Sequence, residues 1–241
     1  MTKALLAWRR VCVAASVLGL SGCFFNHGTN LPRAEAALAF SAQSPPRPGD
    51  FTLCRDHGCA TERRVSLSPG EWAEITAPLR RPARDPAAER ALMARAVAGF
   101  ELAVGPKAGT ANDIGGTMTG YGRGGQQDCV DEAVTTTRFL LMLTEAGLLR
   151  HHEVGTPVHR AWIPGEITHL TATVIELGGD RDRYAIDSWF HGNGHAAEVV
   201  GIDAWLEGWS PPVWRFQATR ALRPASTFAK DEDERRATQS R

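Results

Sequence analysis

Along the chain, apolar residues recur at helical spacing in two stretches and crowd into short β-rich runs in three others, with polar, Gly-rich and Pro-rich segments between them. From Pro86 to Val104 the apolar positions Leu92, Ala96, Val97 and Phe100 share one helical face. That predicts a helix capped by Asp85, with Pro86 at its first position and Gly105 at its end. A second helix is expected to begin at Cys129. Here Val130, Val134, Leu141 and Leu148 fall near one face, which Ala133, Leu140 and Leu143 widen. The stretches 168-THLTATVIEL-177 and 183-RYAIDSWF-190 are rich in β-branched and aromatic residues, and 178-GGDRD-182 between them carries turn chemistry. They predict a hairpin. Strand alternation sends His169, Thr171 and Thr173 to one face and Leu170, Ala172 and Val174 to the other, while Ala185, Asp187 and Trp189 share a face of the second strand. A smaller hairpin is expected from 51-FTLC-54 and 63-RRVSL-67 around 55-RDHG-58. The pattern is that of an α+β domain in which a helix packs on a small antiparallel sheet.

The two ends of the chain carry different signals. Residues 1–22 run from the basic 1-MTKALLAWRR-10 into the apolar 11-VCVAASVLGL-20, too short to span a bilayer, and then to small residues. They predict a secretory signal. The sequence 20-LSGC-23 resembles the lipobox of bacterial lipoproteins, which implies that Cys23 receives a diacylglycerol and becomes the mature amino terminus. Phe24 after it resembles sorting to the outer membrane more than retention at the inner one. The expected organisation is therefore a lipoprotein signal peptide at 1–22, a tether at 23–50, one domain at 51–223 and a polar, disordered tail at 224–241.

Charge and cysteine usage narrow the functional classes. The full chain has 27 basic and 27 acidic side chains, and loss of Lys3, Arg9 and Arg10 with the signal leaves a formal charge of −3. Nothing here calls for a nucleic-acid partner. The Gly-rich stretch 105–127 has irregular spacing and no following Gly-Lys-Ser/Thr, so a phosphate loop is not expected. Neither a cofactor nor a metal is expected. Cys54 and Cys59 bracket a turn and are suited to a disulfide in an oxidising compartment. A metal reading with His57 lacks a second pair of ligands, and 151-HH-152 lacks an organised set. Cys129 then remains outside the pair.

The candidate chemistry is a thiol at a helix start, an imidazole at His169 and a carboxylate at Asp187 on the next strand. Whether the last two meet depends on register. A turn centred on Gly178 sets them side by side, and one nearer Asp180 separates them by about 13 Å at ~3.3 Å per residue. His159, His191 and His195 remain alternative imidazoles.

The motifs 127-QDCVDEA-133, 169-HLTATVI-175 and 184-YAIDSW-189 resemble the transglutaminase-like branch of the papain-like cysteine enzymes. The stretches 54-CRDHGC-59, 89-ERALMARAVAGFE-101, 147-GLLR-150 and 187-DSWFHGNG-194 also resemble a group of exported bacterial proteins with that expected fold. The resemblance implies Cys129 as nucleophile, His169 as general base and acid, and Asp187 as the group orienting the imidazole. An acyl-transfer site also needs oxyanion donors. The backbone N–H of Cys129 is one candidate, the side chain of Gln126 or Gln127 another, and Trp189 would wall the site. Opposing this chemistry, Asp128, Asp131 and Glu132 lie within three positions of the thiol and repel a thiolate. A hydrogen bond from a neighbouring loop to Glu132 would instead make 128-DCVDE-132 a structural clasp.

Two functions follow as expectations. One is a lipid-anchored thiol hydrolase or transferase on the periplasmic face of the outer membrane, acting on peptide, protein or peptidoglycan-stem amides. The other is a non-catalytic envelope binding or assembly protein on the same scaffold.

Overall fold

The computed structural model describes residues 35–39, 41, 44–117, 124–163 and 167–212. The expected signal peptide, Cys23 and the tail at 224–241 lie outside the described residues. The domain is mixed α+β, with two small antiparallel sheets. Among the described residues no helix is long and apolar enough to cross a membrane.

The first sheet is the smaller expected hairpin. Strand β1 (Phe51–Arg55) pairs with β2 (Thr61–Val65), with Cys54 opposite Glu62. A disulfide joins Cys54 to Cys59 across the turn. Asp56, His57, Gly58 and Cys59 all have positive φ, a left-handed run that three side-chain-bearing residues rarely adopt unless it is held from outside. Replacing both cysteines with serine is expected to cost about 2 kcal/mol by the chain-entropy account of so short a loop, or ~4–8 °C in Tm. Thermal unfolding with and without reductant checks it.

Helix α1 (Pro69–Thr76) was not predicted, although its start carries a capping box: Ser68 accepts from the Glu71 N–H and Glu71 accepts from the Ser68 N–H. Helix α2 (Pro86–Ala108) begins as expected, with Asp85 accepting from the Ala88 N–H and Pro86 in the first turn. It ends one turn later than expected, at Gly109 with φ 82°. Gly105 lies inside it, because a side chain there would meet Ala111 and Asn193. Ala96, Val97 and Phe100 are buried, and the Phe100 ring stacks on Phe139 of the next helix at 4.4 Å.

That helix, α3 (Cys129–Glu145), is capped by Asp128 and buried on every side from Cys129 to Leu140. It packs on the second sheet, whose strand order is β3 (His152–Ile163), β4 (Ile167–Glu176), β5 (Arg183–Asp187) and β6 (Glu198–Gly201), with α4 (Ile202–Leu206) after it. Strand β3 escaped the sequence reading because Gly155 and Pro157 interrupt its pattern. Both lie at or inside a register shift between Gly155 and Val158, where a bulge absorbs the proline. At Gly155 a Cβ would come within 2.5 Å of the Thr173 hydroxyl, so this close approach needs glycine. Glu89 of α2 ties the start of β3 down, accepting from the N–H groups of Arg150 and His151 and from His152 Nδ1.

The two faces of β4 match the expected alternation. Ala172 and Val174 join the main core with α2, α3 and Ile186, whereas Ala185, Val200 and Trp205 form a separate cluster across the sheet.

Candidate active site

Alternation and sheet register decide where the candidate groups sit. In the β4–β5 hairpin Ala172 faces Ile186 and Val174 faces Tyr184, so the turn is centred on Gly179. Asp187 thus falls opposite Thr171 rather than His169. The offset is two residues, an even number, so both side chains keep the same face. Diagonal neighbours on one face are about 7–8 Å apart, within reach of a long side chain. The imidazole spans the gap, and His169 Nε2 donates to Asp187 Oδ2 at 2.7 Å with both residues about 1% exposed.

Asp187 holds a second donor. Trp205 of α4 donates its indole N–H to the same Oδ2 at 2.8 Å, and its ring lies 5.2 Å from the imidazole. Arg160, opposite His169 on β3, places its guanidinium over the Trp205 ring at 4.3 Å and donates to the carbonyls of Trp205 and Trp209. Trp189 closes another side of the imidazole at 4.5 Å and donates to the Thr117 carbonyl. It is fully buried and walls His169 from within.

Cys129 arrives at the open end of this sheet. The N–H of Glu176 points toward β5, where it meets Asp182 O, and alternation aims the N–H of Leu170 the same way. At Leu170, β5 has ended, and the Cys129 sulfur accepts that N–H instead. The thiol therefore lies beside Leu170, beyond the end of β5. It shares an apolar cluster with Leu170, Trp189 and Phe190, and the last two also flank His169.

The other expected imidazoles are elsewhere. His159 is exposed, His191 pairs with Glu198, and His195 contacts the Gly192 carbonyl. Both glutamine side chains are engaged by backbone groups. Gln126 donates to Asn112 O and accepts from the Ile114 N–H, and Gln127 donates to Cys54 O. These bonds hold the approach to α3 in shape. Among the described residues the cysteine and carboxylate group at Cys54, Cys59 and Glu62 is compact enough for a metal, but the two sulfurs are joined to each other.

The acids beside Cys129 are the clasp that holds the left-handed turn. Asp131 accepts from the N–H groups of His57, Cys59 and Asp128, and Asp128 accepts from those of Gly58, Val130 and Asp131. Five different backbone donors besides the Asp131 N–H of the helix cap itself are therefore satisfied by two carboxylates. Glu132 turns the other way, accepting from the Ser188 hydroxyl at 2.6 Å.

This setting acts on the thiol. Burial pushes the Cys129 thiol well above its ordinary range. Asp128, Asp187 and Asp131 add to the shift, and the Leu170 N–H opposes it. Burial likewise pushes Glu132 up to about 7 against the Ser188 bond, and raises Glu101 and Asp113 nearby. A carboxyl whose folded pKa exceeds its unfolded value stabilises the fold fully below the unfolded pKa, and the contribution disappears as pH rises through the folded value. Stability is therefore expected to fall between about pH 4.5 and 8, with Glu132 contributing on the order of 3 kcal/mol. Urea midpoints at pH 5.5 and 8.5 test this: Glu132→Gln, which cannot ionise, should show the smaller decline, and an equal decline would assign the effect to another group.

No family model, curated protein or solved structure matches the chain.

Proposed function

We propose that the chain is a thiol acyl-transfer enzyme of transglutaminase-like type, an amide hydrolase or acyl transferase using Cys129, His169 and Asp187. The observation that carries this is the enclosed His169–Asp187 bond at 2.7 Å, with Trp205 as second donor, beside a thiol at the start of a helix. Because Nε2 faces Asp187, Nδ1 is the nitrogen that takes the thiol proton. The sulfur then attacks the amide carbonyl carbon, the carbonyl oxygen becomes an oxyanion, and the Cys129 N–H is the backbone donor for it. Collapse breaks the C–N bond, and the imidazolium returns its proton to the departing amine. Water or a second amine, deprotonated by His169, cleaves the thioester and restores the thiol. Peptide, protein or peptidoglycan-stem amides fit this chemistry, on a chain held by a lipid on Cys23 at the periplasmic face of the outer membrane.

A second reading is favoured by one observation: Cys129 is buried and its thiol is pushed up rather than down. On that reading the scaffold binds or assembles envelope components without turnover. Alkylation of Cys129 by iodoacetamide against pH, with His169→Ala beside the wild type, separates them. A reactive plateau below pH 7 that the substitution abolishes supports the enzyme. A rate that rises only at or above the ordinary thiol range near 8.5, unchanged by the substitution, supports the scaffold.

A further inference from the structure

A group of buried polar side chains lies between α3 and the end of β5. Ser188 follows Asp187, and alternation turns it away from the imidazole, toward the side on which Ile186 joins the core cluster of Phe139 and Leu140. Its hydroxyl donates to Glu132 Oε2 at 2.6 Å and lies 3.2 Å from Thr136 Oγ1. Cys129, Glu132 and Thr136 stand at i, i+3 and i+7 and share a face of α3. Glu132 and Ser188 are 5% exposed and Thr136 2%, so bulk water does not compete for these bonds.

Fold stability alone does not call for this arrangement. Burying a carboxyl and two hydroxyls costs free energy that apolar side chains of similar volume would not. Hydrogen bonds supply what apolar packing lacks, a narrow distance and a direction. The segments joined here are those that carry the candidate chemistry. Glu132 is about 4.5 Å of helix rise from Cys129, and Ser188 is the residue after Asp187. We infer that Ser188 is a positioning residue whose bond to Glu132 holds the thiol-bearing start of α3 against the His169–Asp187 pair. Loss of the hydroxyl lets the first turns of α3 shift against the strand end, while Phe139 and Leu140 keep the rest of the helix seated in the core. Thr136 shares the serine oxygen and limits its rotation. The importance of Ser188 for acyl transfer rests on the function proposed above. The placement of Cys129 does not, because the Leu170 N–H meets the Cys129 sulfur and reports its position whatever the function.

The test uses the full chain as wild type, Ser188→Ala and Glu132→Gln, the last keeping a carbonyl oxygen for the serine hydroxyl. Single-turnover acylation of Cys129 by an activated peptide ester is followed across ester concentration, and amide hydrogen exchange is followed at Leu170. In Ser188→Ala the saturating rate is expected to fall by roughly tenfold to a hundredfold, since a misplacement of about 1 Å costs on the order of 10²-fold. The half-saturating concentration should stay within about twofold, because the ester's own contacts are untouched. Exchange at Leu170 should quicken by about tenfold while the amides of Leu140 and Leu143 stay protected. Glu132→Gln should restore both readouts to within about threefold of wild type. Acylation in Ser188→Ala within about threefold of an active wild type overturns the inference and leaves the acyl-transfer reading in place. So does slower acylation with Leu170 exchange unchanged, with protection lost throughout α3, or with Glu132→Gln as slow as Ser188→Ala. A wild type inert toward the ester removes the acyl-transfer reading, and exchange at Leu170 then decides the placement: faster in Ser188→Ala sustains it, and unchanged overturns it.

Discussion

Asp187→Asn is expected to slow acylation of Cys129 by roughly 10³- to 10⁴-fold while leaving the fold intact. Asparagine keeps the shape of the side chain, and its carbonyl oxygen can still accept from Trp205 Nε1 and His169 Nε2. What it removes is the negative charge beside an imidazole that must carry a proton through the transition state. In this enclosed setting, with Trp189, Phe190 and Trp205 around the ring, little water is present to replace that charge. Single-turnover acylation with an activated peptide ester measures the effect, and thermal unfolding serves as the control. A loss of less than about tenfold, with an unchanged Tm, would leave Asp187 as a strand-end anchor and favour the scaffold.

Asp131→Ala should be the most destabilising single substitution near the site, at about 3–5 kcal/mol or ~6–20 °C in Tm. The carboxylate accepts from three buried backbone donors, at His57, Cys59 and Asp128, and alanine leaves all three without it. Two of those donors lie in the left-handed turn at residues 56–59, so the loss reaches the disulfide loop as well as the cap of α3. The disulfide should then become easier to reduce. Chemical unfolding and the rate of reduction by dithiothreitol measure the two consequences. A cost below about 1 kcal/mol would mean that water replaces the carboxylate and that the turn holds itself.

The legible parts of the fold were those with local causes. Asp85 before Pro86 announces a helix start because a cap and the first-turn geometry lie within a few residues of each other. The apolar face of α2 and the β-rich runs of β4 and β5 could be read for the same reason. The helix end at Gly105 was misplaced because glycine there answers a tertiary approach by Ala111 and Asn193, which the sequence does not display. Strand β3 was missed because its pairing with β4 overrides the breaks at Gly155 and Pro157.

The candidate site divides in the same way. The sequence alone determined the residue types and their order: a thiol at a capped helix start, then an imidazole and a carboxylate on successive strands, with a cysteine pair set to bridge a turn. Tertiary structure decided their partners. It centred the hairpin on Gly179 and carried Trp205 from a later helix to Asp187. It also bound Asp128 and Asp131 to a turn about seventy residues earlier, and folded residues 35–39 onto α3. Capping and periodicity act over one or two turns of chain and are written locally. Which donor meets a buried carboxylate depends on which segments the core brings together, and that is settled only when the whole chain has packed.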